Sequence, residues 1–159
     1  MNMLSVQGLS KHYPGFALRN ITFSLPQGKI MGLIGKNGAG KTTTLKSMLN
    51  LVRPDSGEIE MFRCDFMENE ESCKQNIGVV FGEIDFYKHK KLDAITAVTK
   101  RFYRNWDEKA YQKYLREFAL DPQKRVKELS SGMKVKYMLA LALSHNARLL
   151  ILDEPTSGL

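Results

Sequence analysis

The 159-residue sequence predicts an α/β layered fold with a largely parallel sheet, because short apolar strands alternate with stretches of helical periodicity. Three stretches carry that prediction. Residues 29–34 read as a short buried strand, residues 35–42 fit Gly-x-x-x-x-Gly-Lys-[Ser/Thr] without a mismatch, and residues 43–51 read as a helix. Residues 77–81 form a compact apolar run bounded by Gly82, the pattern of a buried parallel strand. Residues 149–152 form another apolar run, which delivers Asp153 and Glu154 at its end.

The remaining elements follow in chain order. Residues 4–9 alternate apolar and polar, which predicts an edge strand of an antiparallel sheet. Residues 10–15 read as a turn-rich loop carrying Tyr13, and residues 21–25 as a second alternating strand. Arg53-Pro54-Asp55-Ser56-Gly57 is a turn, followed by a strand over 58–62 and a solvated helix or loop over 65–75. Helical periodicity covers 92–103, with Leu92, Ile95, Val98 and Phe102 on one face, and again 107–120, where Asp107 suits an N-cap. Asp121-Pro122 breaks that helix, and Ser130-Ser131-Gly132 opens another from Met133 to about His145.

Composition excludes several classes. No apolar run approaches the roughly 18 residues of a spanning helix; the longest, residues 138–143, has six. The first residues lack the layout of a secretory signal, so a cytoplasmic location is expected. Cys64 and Cys73 have no metal-ligand companions at useful spacing, and the three histidines His12, His89 and His145 are scattered, so free thiols are expected and a zinc site is not. The net charge of +7 suits polyanions: nucleotides, nucleic acid or a negatively charged membrane face. Much of it lies in the middle section, at Lys88, Lys90, Lys91, Lys100, Arg101, Arg104, Lys109, Lys113 and Arg116, as a solvated helix face or a docking surface.

The motifs carry chemistry in combination. A glycine-rich turn between strand and helix lets successive N–H groups converge on an anion, and the helix N-terminus adds partial positive charge. Lys41 would reach the terminal phosphates of a nucleoside triphosphate, and the Thr42 hydroxyl would ligate Mg²⁺. Opposite such a loop, a carboxylate like Asp153 holds Mg²⁺ through its water shell, and Glu154 orients and polarises the attacking water. The Ser-Ser-Gly turn exposes hydroxyls and N–H groups that suit an anion, and it caps its helix as well.

The order phosphate loop, Leu-Ser-x-Gly, helix, then Leu-Leu-Ile-Leu-Asp-Glu-Pro-Thr-Ser-Gly-Leu resembles the ATP-binding subunit of an ABC transporter over the whole chain. Residues 102–107 and the spelling Leu-Ser-Ser-Gly-Met resemble bacterial ABC-2 type exporter ATPases in particular. The resemblance implies a P-loop NTPase fold of ABC type, a mixed sheet with N-terminal antiparallel strands and an inserted helical subdomain. It implies one nucleotide-binding domain over 1–159, incomplete at its C-terminus, with a core of 1–84 and 146–159 and a helical subdomain of 85–145. Tyr13 stands where the family stacks an aromatic on adenine. Gly35, Lys36, Asn37, Gly38, Ala39, Gly40, Lys41, Thr42 and Thr43 match the phosphate site. Ser130, Ser131 and Gly132 match the signature that contacts ATP held by an opposite subunit, and Glu154 matches the catalytic glutamate. The implied ligands are ATP and Mg²⁺. The implied partners are a second ATP-binding subunit, head to tail, and a membrane permease that holds the protein at the inner face of the cell membrane; no nucleic acid is expected. The alternatives are a soluble ABC ATPase acting on ribosomes or nucleic acid, and a non-hydrolysing ATP-binding fragment.

Three departures qualify the match. Gly82 stands where the family has a glutamine, and Glu83 is the candidate substitute. In the signature, Ser131 replaces a glycine and Met133 a glutamine. The chain reads as the front part of the domain, ending before the family's switch histidine, so 1–159 alone is expected to bind ATP but hydrolyse it poorly.

Overall fold

The computed structural model describes residues 1–81 and 87–154. They form two compact units, residues 1–73 and 74–159, each with its own buried residues.

In the first unit, β1 (Asn2–Tyr13), β2 (Phe16–Pro26), β3 (Ser56–Met61) and β4 (Cys64–Asp65) form an antiparallel sheet in the order β2-β1-β3-β4. The expected edge strand is therefore an interior one: β1 pairs with β2 on one side and β3 on the other. Its alternation reflects one buried face, carrying Leu4, Val6 and Leu9, and an antiparallel strand shows that pattern whether or not both its edges are paired. The expected loop over 10–15 contracts to the Pro14-Gly15 turn, with Tyr13 paired to Phe16. The strand pairing is tight where β3 begins. Gly57 has φ +111°, and a Cβ there would lie 2.5 Å from the Leu9 Cα, so only glycine fits. The helices α1 (Lys41–Met48) and α2 (Glu70–Lys74) complete the unit, with Met48, Phe66 and Cys73 among its buried side chains. Cys64 and Cys73 are both free thiols.

Residues 29–34 do not form the expected strand. No pairing is present there among the described residues, and Ile30 and Ile34 are fully exposed. Apolar composition makes a segment worth covering, but a strand exists only where a neighbour takes up its N–H and C=O groups.

In the second unit, β5 (Ile77–Phe81) and β6 (Leu149–Asp153) pair in parallel, in register from Ile77–Leu149 to Phe81–Asp153. Between them run α3 (Leu92–Thr99), α4 (Glu108–Glu117) and α5 (Ser131–Leu143), with short 3₁₀ turns at Lys100–Phe102 and Val126–Glu128. Asp107 caps α4 as expected, accepting a hydrogen bond from the Ala110 N–H at 2.9 Å. The apolar face expected on α3 is only half right. Leu92 is buried, but Val98 and Phe102 are exposed, and Thr96 takes the core position instead.

Thr96 is accepted there because its hydroxyl is fully engaged. Its Oγ1 lies 2.7 Å from the Tyr111 hydroxyl and 2.8 Å from that of Tyr137, which donates to the Leu92 carbonyl at 3.0 Å. With that last donor fixed, the hydroxyls run in one direction: Tyr111 donates to Thr96, and Thr96 to Tyr137. Burial pushes the Tyr137 phenol well above its ordinary value and raises Tyr111 too, so both are neutral donors. Around this chain pack Val80, Leu115, Val126 and Ala140.

Candidate nucleotide-binding site

The phosphate-loop residues occupy the approach to α1. Gly38 has φ +81° and Gly40 φ +93°, so the backbone turns through conformations that side chains disfavour. Gly40 is the N-cap of α1 and offers no side chain to the first-turn N–H groups. The first helical bond is Thr44 N–H to Gly40 O at 2.8 Å, reinforced by the Thr44 hydroxyl on the same carbonyl. Lys41 lays its ammonium back over the loop, donating to Gly35 O at 2.7 Å and Lys36 O at 3.2 Å, and Ala39 N–H closes a turn on Lys36 O. Asn37 and Thr42 are exposed; Thr43 is half-buried. An uncapped helix start, an open glycine turn and an ammonium on one small loop have the donor chemistry of a phosphate cradle, so these residues fit the triphosphate of a nucleotide.

Two contacts connect this loop to the β1–β2 turn. A Cβ on Gly40 would lie 2.5 Å from Leu18 Cδ2 and 2.7 Å from Phe16 Cζ, so β2 packs directly beneath the loop. Phe16 in turn stacks against Tyr13, ring centroids 6.5 Å apart. Tyr13 is exposed, with the Lys11 ammonium 5.6 Å from its ring centre. Sequence reasoning singled out Tyr13 and overlooked Phe16, although an aromatic immediately after a Pro-Gly turn was a usable signal. It also overlooked Asp55, read only as a turn residue. Asp55 accepts from Lys11 Nζ at 2.8 Å and from the His12 N–H at 2.7 Å. Those bonds, that of Lys11 foremost, hold its carboxyl down at about 2.

The other candidate residues lie in the second unit. Ser130 is the N-cap of α5, its hydroxyl accepting from Met133 N–H at 3.2 Å, while Ser131 and Gly132 form the first turn. The helix starts two residues earlier than expected and ends at Leu143. Beyond it, His145 is buried, its ring nitrogens 3.2 Å from Leu141 O and 3.1 Å from Ile77 O, and stacked on Tyr103 at 3.8 Å. Asp153 ends β6 opposite Phe81, and Glu154 follows with φ +47°, a left-handed conformation uncommon for this residue type. Gly82 and Glu83 lie outside the described residues. No group of three metal-binding side chains occurs among the described residues.

An α/β chain with a glycine-rich loop running into a helix, and an apolar parallel strand ending in Asp-Glu, has the makings of a P-loop nucleotide-binding protein. Residues 18–157 match the ABC transporter family, and the chain belongs to it. It is 35% identical over 142 residues to the bacitracin transport ATP-binding protein BcrA of Bacillus licheniformis, covering 88% of this chain and 46% of that protein. It is 34% identical to the ABC-type transporter ATP-binding protein EcsA of Bacillus subtilis, covering all of this chain and 67% of EcsA. A solved ATP-binding subunit of an ABC transporter superposes with a TM-score of 0.84 at 29% identity, over 98% of this chain and 68% of that one. The chain spans about half the length of the bacitracin transport proteins it matches.

Proposed function

We propose that the chain is the ATP-binding part of a subunit that hydrolyses ATP to drive transport through a separate membrane permease. The observation that carries this reading is the intact phosphate loop on α1, in a chain that matches the ABC transporter family from residue 18 to 157. The transport role follows from the likeness to transport ATP-binding proteins such as BcrA.

In this reading Lys41 exchanges its two loop carbonyls for terminal phosphate oxygens, an exchange of neutral acceptors for charged ones that favours the nucleotide. Gly35 to Thr43 supply backbone donors, and Tyr13, backed by Phe16, offers a face to the adenine. Base–aromatic stacking is worth about 1–3 kcal/mol. Thr42 and Asp153 are the residues to hold Mg²⁺, which when bound neutralises phosphate charge. Glu154 orients the attacking water as general base. Ser130, Ser131 and Gly132 contact the ATP of a second, head-to-tail copy. Residues 1–84 with 146–159 then form the catalytic core and 85–145 the helical subdomain, with the protein held at the inner membrane face by its permease.

Titration with a fluorescent ATP analogue tests the first step. Lys41→Ala abolishes binding if the loop is the site; unchanged affinity overturns the assignment. In the complete subunit, Glu154→Gln retains ATP and accumulates as a dimer without turnover. Turnover at the unsubstituted rate would remove Glu154 from its role.

A further inference from the structure

We propose that an exposed basic ribbon in the second unit, formed by residues 87–91 and 124–127, is a docking surface for anionic phospholipid headgroups. The two stretches pair backbone to backbone. Lys127 N–H donates to Lys88 O at 3.0 Å, Val126 N–H to Lys90 O at 3.1 Å and Leu92 N–H to Lys124 O at 3.0 Å, with Lys91 and Arg125 directly bridged. Pairing at β-ladder spacing, about 4.8 Å, brings Lys88, Lys90, Lys91, Lys124, Arg125 and Lys127 onto one small ribbon. All six are exposed, as is His89. Leu92 and Val126 are wholly buried and pin both stretches to the core, so the backbone that carries the charges is held in place before any partner arrives.

Among the described residues three carboxylates belong to the same neighbourhood, and each is engaged locally. Asp93 accepts from Gln123 Nε2, Asp121 from Gln123 N–H, and Glu128 from Arg125 N–H. Among the described residues, six cations stand against three anions here. The imbalance extends to the whole unit. Residues 74–159 hold 16 Lys and Arg against 10 Asp and Glu, whereas residues 1–73 hold 8 against 7, so six of the seven net positive charges fall in the second unit. The first unit, which carries the phosphate loop, is nearly neutral, so nucleotide binding does not account for this charge.

The chemistry of the ribbon chooses among polyanions. Five of its six cations are lysines, compact point charges suited to a diffuse anionic surface. Reading nucleic acid relies on arginine forks and several stacked aromatics. Among the described residues one exposed aromatic, Tyr87, adjoins the ribbon, and an amphipathic ring of this kind suits the headgroup layer. No helix among the described residues is long and apolar enough to cross a membrane.

The test is sedimentation of the purified chain with phosphatidylcholine vesicles, with and without phosphatidylglycerol. Binding is expected only with phosphatidylglycerol, and is lost as salt rises. Reversal of Lys88, Lys90, Lys124 and Lys127 to Glu abolishes it, and each single Lys→Gln change at these positions weakens it about fivefold. A charge-matched reversal at Lys100, Lys109, Lys113 and Arg116, off the ribbon, leaves most of the binding in place. Equal loss in both quadruple variants, binding to pure phosphatidylcholine, or tight RNA binding without vesicle binding would each overturn the proposal. The single Lys→Gln variants decide the matter if a reversal variant fails to fold. ATP-analogue affinity, measured in parallel, is unaffected by the ribbon substitutions, so failure here is distinguishable from failure of the nucleotide site.

Discussion

In residues 1–73 order comes from backbone ladders: β1 is bonded along both edges, and its far end is tied to the 53–57 turn by the Asp55 carboxylate at the surface. In the second unit the parallel pairing among the described residues is two strands wide, and order comes from a buried chain of hydroxyls, Tyr111 to Thr96 to Tyr137 to the Leu92 carbonyl, inside an apolar cluster. The contrast teaches where each unit is vulnerable. A ladder fails where something wedges the strands apart or where its exposed ionic tie is protonated. A buried polar chain fails when one partner is removed, because the remaining hydroxyls have no water to turn to.

The largest expected effect is at Gly57. Gly57→Ala forces a Cβ against the Leu9 backbone at a positive φ, and should cost about 3 kcal/mol or more, read as a shift in urea midpoint. Hydrogen exchange should rise across β1 and β3 while the second unit stays protected. Equal loss of protection in both units would merge what the comparison separates. Thr96→Val comes next. It keeps the volume but leaves the buried Tyr111 hydroxyl without its acceptor, while Tyr137 loses a donor and keeps its bond to the Leu92 carbonyl, at about 1–3 kcal/mol; a cost near zero would reduce the hydroxyl chain to packing. Asp107→Ala removes one helix cap and should cost about 1 kcal/mol, confined to α4 exchange rates.

The smallest effect is the most diagnostic. The Asp55 carboxyl is held below its ordinary 3.8, so its stabilising contribution is present above that value and fades as pH falls towards about 2. The protein should lose stability over that window, and Asp55→Asn should flatten the acid limb. The second unit's phenols behave oppositely. Their values are raised, so their contribution is intact in acid and fades only as pH climbs past the ordinary tyrosine value near 10. Near-identical pH profiles for Asp55→Asn and the unsubstituted protein would remove the surface tie from this account.

Much of the fold was legible because local chemistry forced it. The loop at residues 35–42 announced itself through glycines whose φ turns out positive at Gly38 and Gly40. Asp107 was recognisable as a cap from its place before a helical stretch, and the run at 77–81 as a buried strand from its unbroken apolarity. Residues 29–34 show the limit. Their apolarity matches that of 77–81, yet only the latter is hydrogen-bonded to a neighbour. Thr96 shows another: on α3 a threonine among alanines and valines gives no sign of entering the core, because its acceptability depends on two tyrosines 15 and 41 residues away.

The sequence by itself determined the phosphate loop, the cap at Ser130, the acidic end of β6 and the family these define, since each is a local pattern of residue types whose chemistry needs no distant partner. Tertiary structure alone decided that β1 is interior, that Phe16 supports both Tyr13 and the loop, and that lysines near residue 90 meet those near 125. Each of these depends on which segments pair across the chain, and pairing is a property of two sequences in contact, which neither one states alone.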